Sequence, residues 1–238
     1  MTATTAAPRG ISVRSYSMPT PSLLPGSRAH WRVSPDRAAL LVHDMQRYFL
    51  DFYDHAADPY RTLLANATAL RDAAVRHRMP VFYTAQPGAM TPDDRGLLAD
   101  VWGPGMDATA EQRAIAEELA PSADDTVLTK WRYSAFFRSD LLGRLRAAGR
   151  DQLVICGVYA HVGCLATAVE AFTHDIEVFL VGDAVADFGP DEHHIALWQA
   201  ARTCAVVPSA RAVLDALDAG DGRDAVDAGN AEDDGGTT

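Results

Sequence analysis

The chain has 238 residues, 48% of them hydrophobic and 22% charged, which suits one globular domain with a substantial core. Its formal net charge of -11 at pH 7 gathers toward one end, because 218–238 holds seven acidic residues against Arg223 and leaves the rest mildly acidic. With no basic, aromatic-interleaved stripe, no apolar run of about 18 residues and no signal-peptide core, neither nucleic acid nor a membrane is an expected partner, and a soluble, cytoplasmic protein is expected.

Residues 1–35 are rich in Pro, Ser and Thr and read as an extended arm, part of which docks through Trp31 and the Leu23-Leu24 pair. From Ala38 onward apolar strands alternate with helical periodicity. Strands are predicted over 39–43, 80–85, 126–128, 153–156, 176–181 and 205–207. Helices are predicted over 59–77, where Leu63, Leu64, Ala67 and Leu70 recur at helical spacing, and over 111–119, 139–149, 164–174 and 191–202, with a short final one to Leu217. Six strands alternating with helices imply an α/β fold, a Rossmann-like three-layer α/β/α arrangement around a six-stranded, mainly parallel sheet. The Gly/Pro-rich loop 87–106 is too long for a mere connector and is a candidate binding loop. From residue 219 the Gly/Asp/Ala composition predicts a disordered acidic tail, so the domain proper spans 36–218.

The three cysteines, Cys156, Cys164 and Cys204, form neither a C-x-x-C pair nor an even framework and read as buried free thiols. Candidate chemistry gathers at strand ends, because open α/β sheets bind ligands beyond the carboxyl ends of their strands. Asp44 closes the first strand beside Tyr48 and Phe49, where partial desolvation would raise its pKa and equip it as a general acid. From this segment alone a helix N-cap is an equal reading. Lys130 closes the third strand. A lone lysine there is commonly a surface residue, but it shares a sheet edge with Asp44 and with the turn 157–163. That turn joins an apolar strand to a helix, so its backbone N–H groups are expected to face the cleft. Asp54-His55 and His193-His194 are adjacent pairs without ligand spacing on a helical face, and read as solvated or supporting histidines.

Five ordered segments carry a resemblance: Leu-Val-His-Asp-Met-Gln-Arg-Tyr-Phe (41–49), Tyr-Thr-Ala-Gln-Pro-Gly (83–88), Trp-Gly-Pro-Gly-Met (102–106), Lys-Trp-Arg-Tyr-Ser-Ala-Phe (130–136) and Gly-Val-Tyr-Ala-His-Val-Gly (157–163). Over roughly 22–217 the chain resembles the isochorismatase-like hydrolase superfamily, and within it the members acting on chorismate-derived enol ethers. Gln-Pro-Gly-Ala-Met (86–90), Ala-Phe-Phe (135–137) and Ala-Ala-Gly-Arg-Asp-Gln-Leu (147–153) look more like the 2-amino-2-deoxyisochorismate hydrolases of phenazine pathways than the siderophore isochorismatases. In the superfamily Asp, Lys and Cys from three strand ends form the site. Here Asp44 and Lys130 match, Gly163 stands in the cysteine's place, and Cys164 follows one residue late. One residue turns a side chain by about 100° around a helix, so non-covalent chemistry is expected. Nicotinamidase-type members bind a divalent metal through an Asp-x-His and a further His. The segment for that later His reads Tyr-Thr-Ala-Gln-Pro here, and no metal or other cofactor is expected.

The resemblance implies cleavage of an enolpyruvyl ether to pyruvate and a dihydroaromatic acid, which for 2-amino-2-deoxyisochorismate is trans-2,3-dihydro-3-hydroxyanthranilate, in a phenazine-like or other antibiotic pathway. A vinyl ether is hydrolysed by protonating its terminal methylene carbon. Asp44 is the implied carbon acid, and Lys130 an implied ligand of a substrate oxygen or carboxylate. Arg95, by itself a surface charge, is implied to pair one carboxylate. Gln86, Tyr133, Tyr159 and the Gly163 N–H are implied to complete the binding site, with Phe49 and Trp102 as apolar walls. A homodimer is implied, with Trp131 and Phe137 as candidates for burial by a second subunit, and the acidic end leaves no room for the attached aryl carrier domain of many siderophore isochorismatases. Three alternatives stay open: isochorismate as substrate, giving 2,3-dihydro-2,3-dihydroxybenzoate for a siderophore; a cysteine amidohydrolase using Cys164; and a catalytically silent module that binds an aryl carrier protein.

Overall fold

A computed structural model describes residues 11–227. Its six strands are β1 (Ala38–His43), β2 (Val81–Ala85), β3 (Thr126–Thr129), β4 (Gln152–Val158), β5 (Glu177–Ala186) and β6 (Ala205–Val206). They form one sheet in the order β3-β2-β1-β4-β5-β6, every neighbouring pair parallel. The helices are α1 (Arg47–Leu50), α2 (Tyr60–Arg76), α3 (Pro92–Arg95), α4 (Leu98–Trp102), α5 (Ala110–Arg113), α6 (Leu141–Ala147), α7 (Leu165–Thr173), α8 (Pro190–Thr203) and α9 (Ala210–Asp227).

A strand buried on both faces reads as a continuous apolar run, and all six residues of β1 and all seven of β4 are buried. Because side chains alternate along a strand, Leu40, Val42, Val154 and Cys156 join one core with Leu63, Ala67 and Leu70 of α2 and Val213 and Leu217 of α9. Ala39, Leu41, Leu153 and Ile155 join the other with Leu141 of α6, Ala168 of α7 and Leu197 of α8. Removing one of these leucines to alanine costs about 2–5 kcal/mol. The order in which successive strands are added reverses at the β1–β4 boundary, where His43 is in register with Gly157. A crevice opens there at the strands' carboxyl ends.

The structure departs from the sequence reading in four places. The helix expected over 111–119 is broken into α5 and a 3-10 turn, Glu117–Leu119. Between them the backbone turns extended: Arg47 N–H donates to Ala114 O and Ala116 N–H to Met45 O, pairing this segment with the chain just after β1. The loop 87–106 contains two short helices, α3 and α4, the first capped by the Thr91 side chain accepting from Asp94 N–H. The helix expected from Cys164 is preceded by a π-helical turn, Ala160–Cys164, before α7 begins. Finally, α9 runs to Asp227 and not to Leu217, since a nucleated helix gains one hydrogen bond per added residue and no proline halts it. The rest of the expected tail, 228–238, and residues 1–10 of the arm lie outside the described residues.

The described part of the arm is docked. Arg14 N–H donates to Phe188 O at 2.8 Å, Tyr16 N–H to Asp58 O at 3.2 Å and Arg28 N–H to Ala201 O at 2.9 Å. Trp31 packs 6.4 Å from Phe172 and Leu24 lies against the core, whereas Leu23 is exposed. Among the described residues no helix is long and apolar enough to cross a membrane.

Candidate active site

Asp44 is the first residue beyond β1 and takes the left-handed conformation, φ 49°, which aspartate tolerates better than most residues. That turn aims its carboxylate back into the crevice. Its N–H donates to Thr84 Oγ1 at 3.0 Å, and the Thr84 hydroxyl donates to Asp44 Oδ1 at 2.5 Å. Thr84 is on the neighbouring strand β2, so the parallel register supplies the partner. Lys130, immediately after β3, donates from Nζ to Asp44 Oδ2 at 2.8 Å, and both side chains are buried. The N-cap alternative is thereby set aside: Gln46, not Asp44, holds the N-cap position of α1, and the Asp44 carboxylate is engaged elsewhere.

This arrangement corrects the charge state expected for Asp44. Burial is the largest influence and pushes the carboxyl up, but the charge of Lys130 and the hydrogen bonds from Lys130 and Thr84 outweigh it, holding the group below the usual carboxylate range. The free site therefore holds a carboxylate–ammonium pair. Lys130 is bound to Asp44 here instead of standing free for a substrate oxygen.

All nine residues singled out in the sequence, Asp44, Phe49, Gln86, Arg95, Trp102, Lys130, Tyr133, Tyr159 and Gly163, line a single cavity. Gln46 holds the lining residue Gln86 in place from behind: its side chain accepts from Gln86 N–H at 2.8 Å and donates to Gln86 O and Arg113 O at 3.0 and 2.9 Å. Arg95 is buried, donating from Nε to Gly103 O at 3.0 Å and from Nη1 to Gln86 Oε1 at 3.4 Å. Among the described residues it pairs with no carboxylate, and burial lowers its pKa. Gly105, at φ 82°, lies so close to the guanidinium that a Cβ would fall 2.7 Å from Arg95 Cζ. The Trp-Gly-Pro-Gly-Met segment thus needs glycine to seat this arginine. Trp102 Nε1–H donates to the Tyr133 hydroxyl at 2.9 Å, closing the rim.

The turn after β4 behaves differently from expectation. The N–H groups of Val162, Gly163 and Cys164 all donate to Tyr159 O at 3.1–3.3 Å, and His161 N–H donates to Asp187 Oδ2 at 2.6 Å. The Gly163 N–H assigned to substrate is thus used inside the turn. Likewise the Tyr159 hydroxyl donates to Phe49 O at 2.8 Å, leaving its ring as the cavity surface. Cys164 is fully buried and is not among the cavity's lining residues, and burial with the nearby Asp44 charge pushes its thiol well above the ordinary range. The other two cysteines are free and buried as well.

Several contributors escaped the sequence reading. Phe188, just past β5, lines the cavity and packs on Tyr159 at 4.6 Å and Trp102 at 5.8 Å. Asp187 beside it accepts from His161 Nδ1 at 2.6 Å. Burial alone would lower that imidazole's pKa, but the Asp187 hydrogen bond and charge, with Glu192, raise it. Asp187 N–H donates to the Tyr16 hydroxyl, which donates to His193 Nδ1, both at 2.9 Å. His193 is therefore a buried supporting residue, not a solvated one, while His55 stacks on Tyr60 at 4.1 Å. Ile11 of the arm also reaches the cavity. Through-space neighbours of this kind leave no periodic mark in a sequence.

The isochorismatase domain model matches residues 38–212. The chain is 54% identical to the phenazine biosynthesis protein PhzD1 of Pseudomonas aeruginosa over 85% of this chain and 97% of that one. It is 51% identical to the isochorismatase of Bacillus subtilis over 87% of this chain and 66% of that one. Among solved structures, a cysteine hydrolase from Pseudomonas syringae pv. phaseolicola aligns at a TM-score of 0.72 and 24% identity, over 82% of this chain and 98% of that one, which speaks to fold alone.

Proposed function

The chain belongs to the isochorismatase family and is a hydrolase of that family, and from this premise we propose that it hydrolyses the enolpyruvyl ether of 2-amino-2-deoxyisochorismate without a covalent intermediate. One observation carries the reading: the buried Asp44–Lys130 pair faces a cavity whose wall offers Gly163, while Cys164 is buried away from it. A group able to carry a proton is present without an accessible thiol.

The substrate carries two carboxylates. Arg95, buried and without a carboxylate partner, receives one carboxylate through a charge-assisted fork. Substrate anion drawn toward Lys130 weakens that ammonium's hold on Asp44 and adds negative charge beside it, and both changes favour uptake of a proton by Asp44. Desolvation by Phe49, Tyr159 and Trp102 acts in the same direction. Protonated Asp44 then delivers its proton to the terminal methylene carbon, leaving an oxocarbenium ion that the regenerated carboxylate stabilises. Water adds to the cationic, ether-bearing carbon of that ion and returns a proton to Asp44, and the hemiketal collapses to pyruvate and the ring alcohol, trans-2,3-dihydro-3-hydroxyanthranilate. No step requires a metal or other cofactor.

Identity to a phenazine biosynthesis protein and resemblance at 86–90, 135–137 and 147–153 favour the amino substrate and a phenazine-like or other antibiotic pathway. Isochorismate is the second reading, favoured by 51% identity to an isochorismatase. Exchange of one hydroxyl for an amine can be read by a single polar group, so kcat/KM measured on both compounds decides. Higher kcat/KM on the amino compound is expected, and preference for isochorismate would move the protein to siderophore chemistry. Turnover of neither would reject the reaction. We further propose a homodimer, supported by Tyr133, Phe137 and Val169, which are exposed and line one face beside Trp102. Light scattering at twice the chain mass is the expected result.

A further inference from the structure

His43 is a fully buried titratable side chain with no task in the reaction above. It ends β1, directly before Asp44, and its Nδ1 lies 2.8 Å from Val158 O at the end of β4. A carbonyl only accepts, so Nδ1 carries the proton, and Nε2 of the neutral ring presents a bare lone pair. That Nε2 is buried and has no hydrogen-bond partner. Burial first, and then the Lys130 charge, push the imidazole down to about 4, so the ring is neutral at working pH. The same ring is 3.8 Å from Asp44 Oδ2 through Nδ1. Its far edge lies under Gly163: a Cβ built there would sit 2.9 Å from Nε2 and closer still to Cε1. Nε2 makes no hydrogen bond of ordinary geometry, although the Tyr133 backbone lies near the ring; the space left by the missing side chain at 163 accounts for where that edge sits.

We propose that His43 is a positioning residue, locked between Val158 O and the bare backbone of Gly163, which fixes Asp44 at the end of β1 against the turn after β4, and that residue 163 is glycine because the imidazole occupies its side-chain space. The inference rests on the reading of Asp44 as proton donor only for its kinetic consequence; the packing consequence is independent of it. Two properties of the ring are separable. The Nδ1–H donor holds Val158, and the Cε1–Nε2 edge fills the space at Gly163. An asparagine side chain retains the first and lacks the second, whereas leucine supplies bulk without the donor.

The test uses the full chain with His43→Asn, His43→Leu, Gly163→Ala and the double variant His43→Asn/Gly163→Ala, each measured for kcat, KM and Tm. Gly163→Ala is expected to lower kcat by at least about tenfold, because displacing the ring moves Asp44 by a fraction of an ångström, with KM changed less than about threefold. The loss should vanish in the His43→Asn background, where the colliding edge is gone. His43→Asn should retain clearly more kcat than His43→Leu, which breaks the bond to Val158. Full activity of Gly163→Ala, additive losses in the double variant, or equal activity of His43→Asn and His43→Leu would each overturn the proposal. If the wild-type protein hydrolysed neither candidate ether, the proposed function would fall, yet the Tm values would still decide here: a drop for Gly163→Ala that His43→Asn relieves supports the packing pair, and an unrelieved drop or none contradicts it. Should His43→Leu not fold, the remaining three proteins complete that cycle.

Discussion

Replacing Lys130 with Met keeps most of the stem's apolar contact while deleting its charge, and so isolates the ion pair. The 2.8 Å Nζ–Oδ2 contact is buried on both sides, and breaking such a pair by removing one partner costs about 3–5 kcal/mol at neutral pH, because the surviving charge is left uncompensated. The pH dependence carries a sign. In the wild-type protein the Asp44 carboxyl is held low, so its contribution to stability is present above its unfolded pKa, about 3.9, and is lost only as pH falls through the lower folded value. Without Lys130 the balance passes to burial, the largest influence on the group, and the folded pKa rises above the unfolded one. The folded variant then binds the proton more tightly than the unfolded chain, and its stability declines as pH rises through that window. The deficit of Lys130→Met relative to wild type should accordingly be small near pH 4 and reach its full size by pH 8. Urea unfolding followed by tryptophan fluorescence at pH 4, 6 and 8 measures it. A deficit below about 1 kcal/mol at pH 8, or one of equal size at every pH, would refute a charged pair at this position.

Three further outcomes follow from the site. Arg95→Gln should reduce kcat/KM by roughly 10- to 150-fold, the worth of a charge-assisted hydrogen bond, mainly through KM, and Arg95→Lys should not restore it because an ammonium lacks the planar fork; initial rates within threefold of wild type would contradict this. Cys164→Ser should leave kcat within about twofold, since a general acid needs no thiol, and a hundredfold loss or a trapped adduct on Cys164 seen by mass spectrometry would reinstate covalent chemistry. Tyr16→Phe leaves the Asp187 N–H and His193 Nδ1 without their shared partner and should cost about 1–3 kcal/mol in denaturant unfolding; an unchanged midpoint would show that the arm is not part of the site's scaffold.

What the sequence made legible was what repeats or what clusters. β1 and β4 could be read because strands buried on both faces are unbroken apolar runs, and α2 because Leu63, Ala67 and Leu70 recur at helical spacing. Asp44 and Lys130 could be placed because they follow strands, whereas Gln86, Arg95, Trp102 and the other cavity residues were assigned by the resemblance of their motifs to a known family. The charge of Asp44 was not legible: its environment looked apolar locally, and the cation that decides the matter is 86 residues away. Nor was the break of 111–119, where pairing of Ile115 with Gln46 overrides good helix formers. Tyr16, Asp187, Phe188 and Ile11 come together only through tertiary packing, so the arm's share in the site could not be read from its composition.

The central claim is that Asp44 protonates carbon, and the measurement closest to it is kcat for pyruvate release by Asp44→Asn, with 2-amino-2-deoxyisochorismate and isochorismate each at saturation and folding verified by circular dichroism. Asparagine keeps the shape and cannot deliver the proton, so kcat should fall by about 10²–10⁴ while substrate binding measured directly changes little. A fall of less than about tenfold on whichever compound the wild-type protein prefers would contradict Asp44 as the carbon acid.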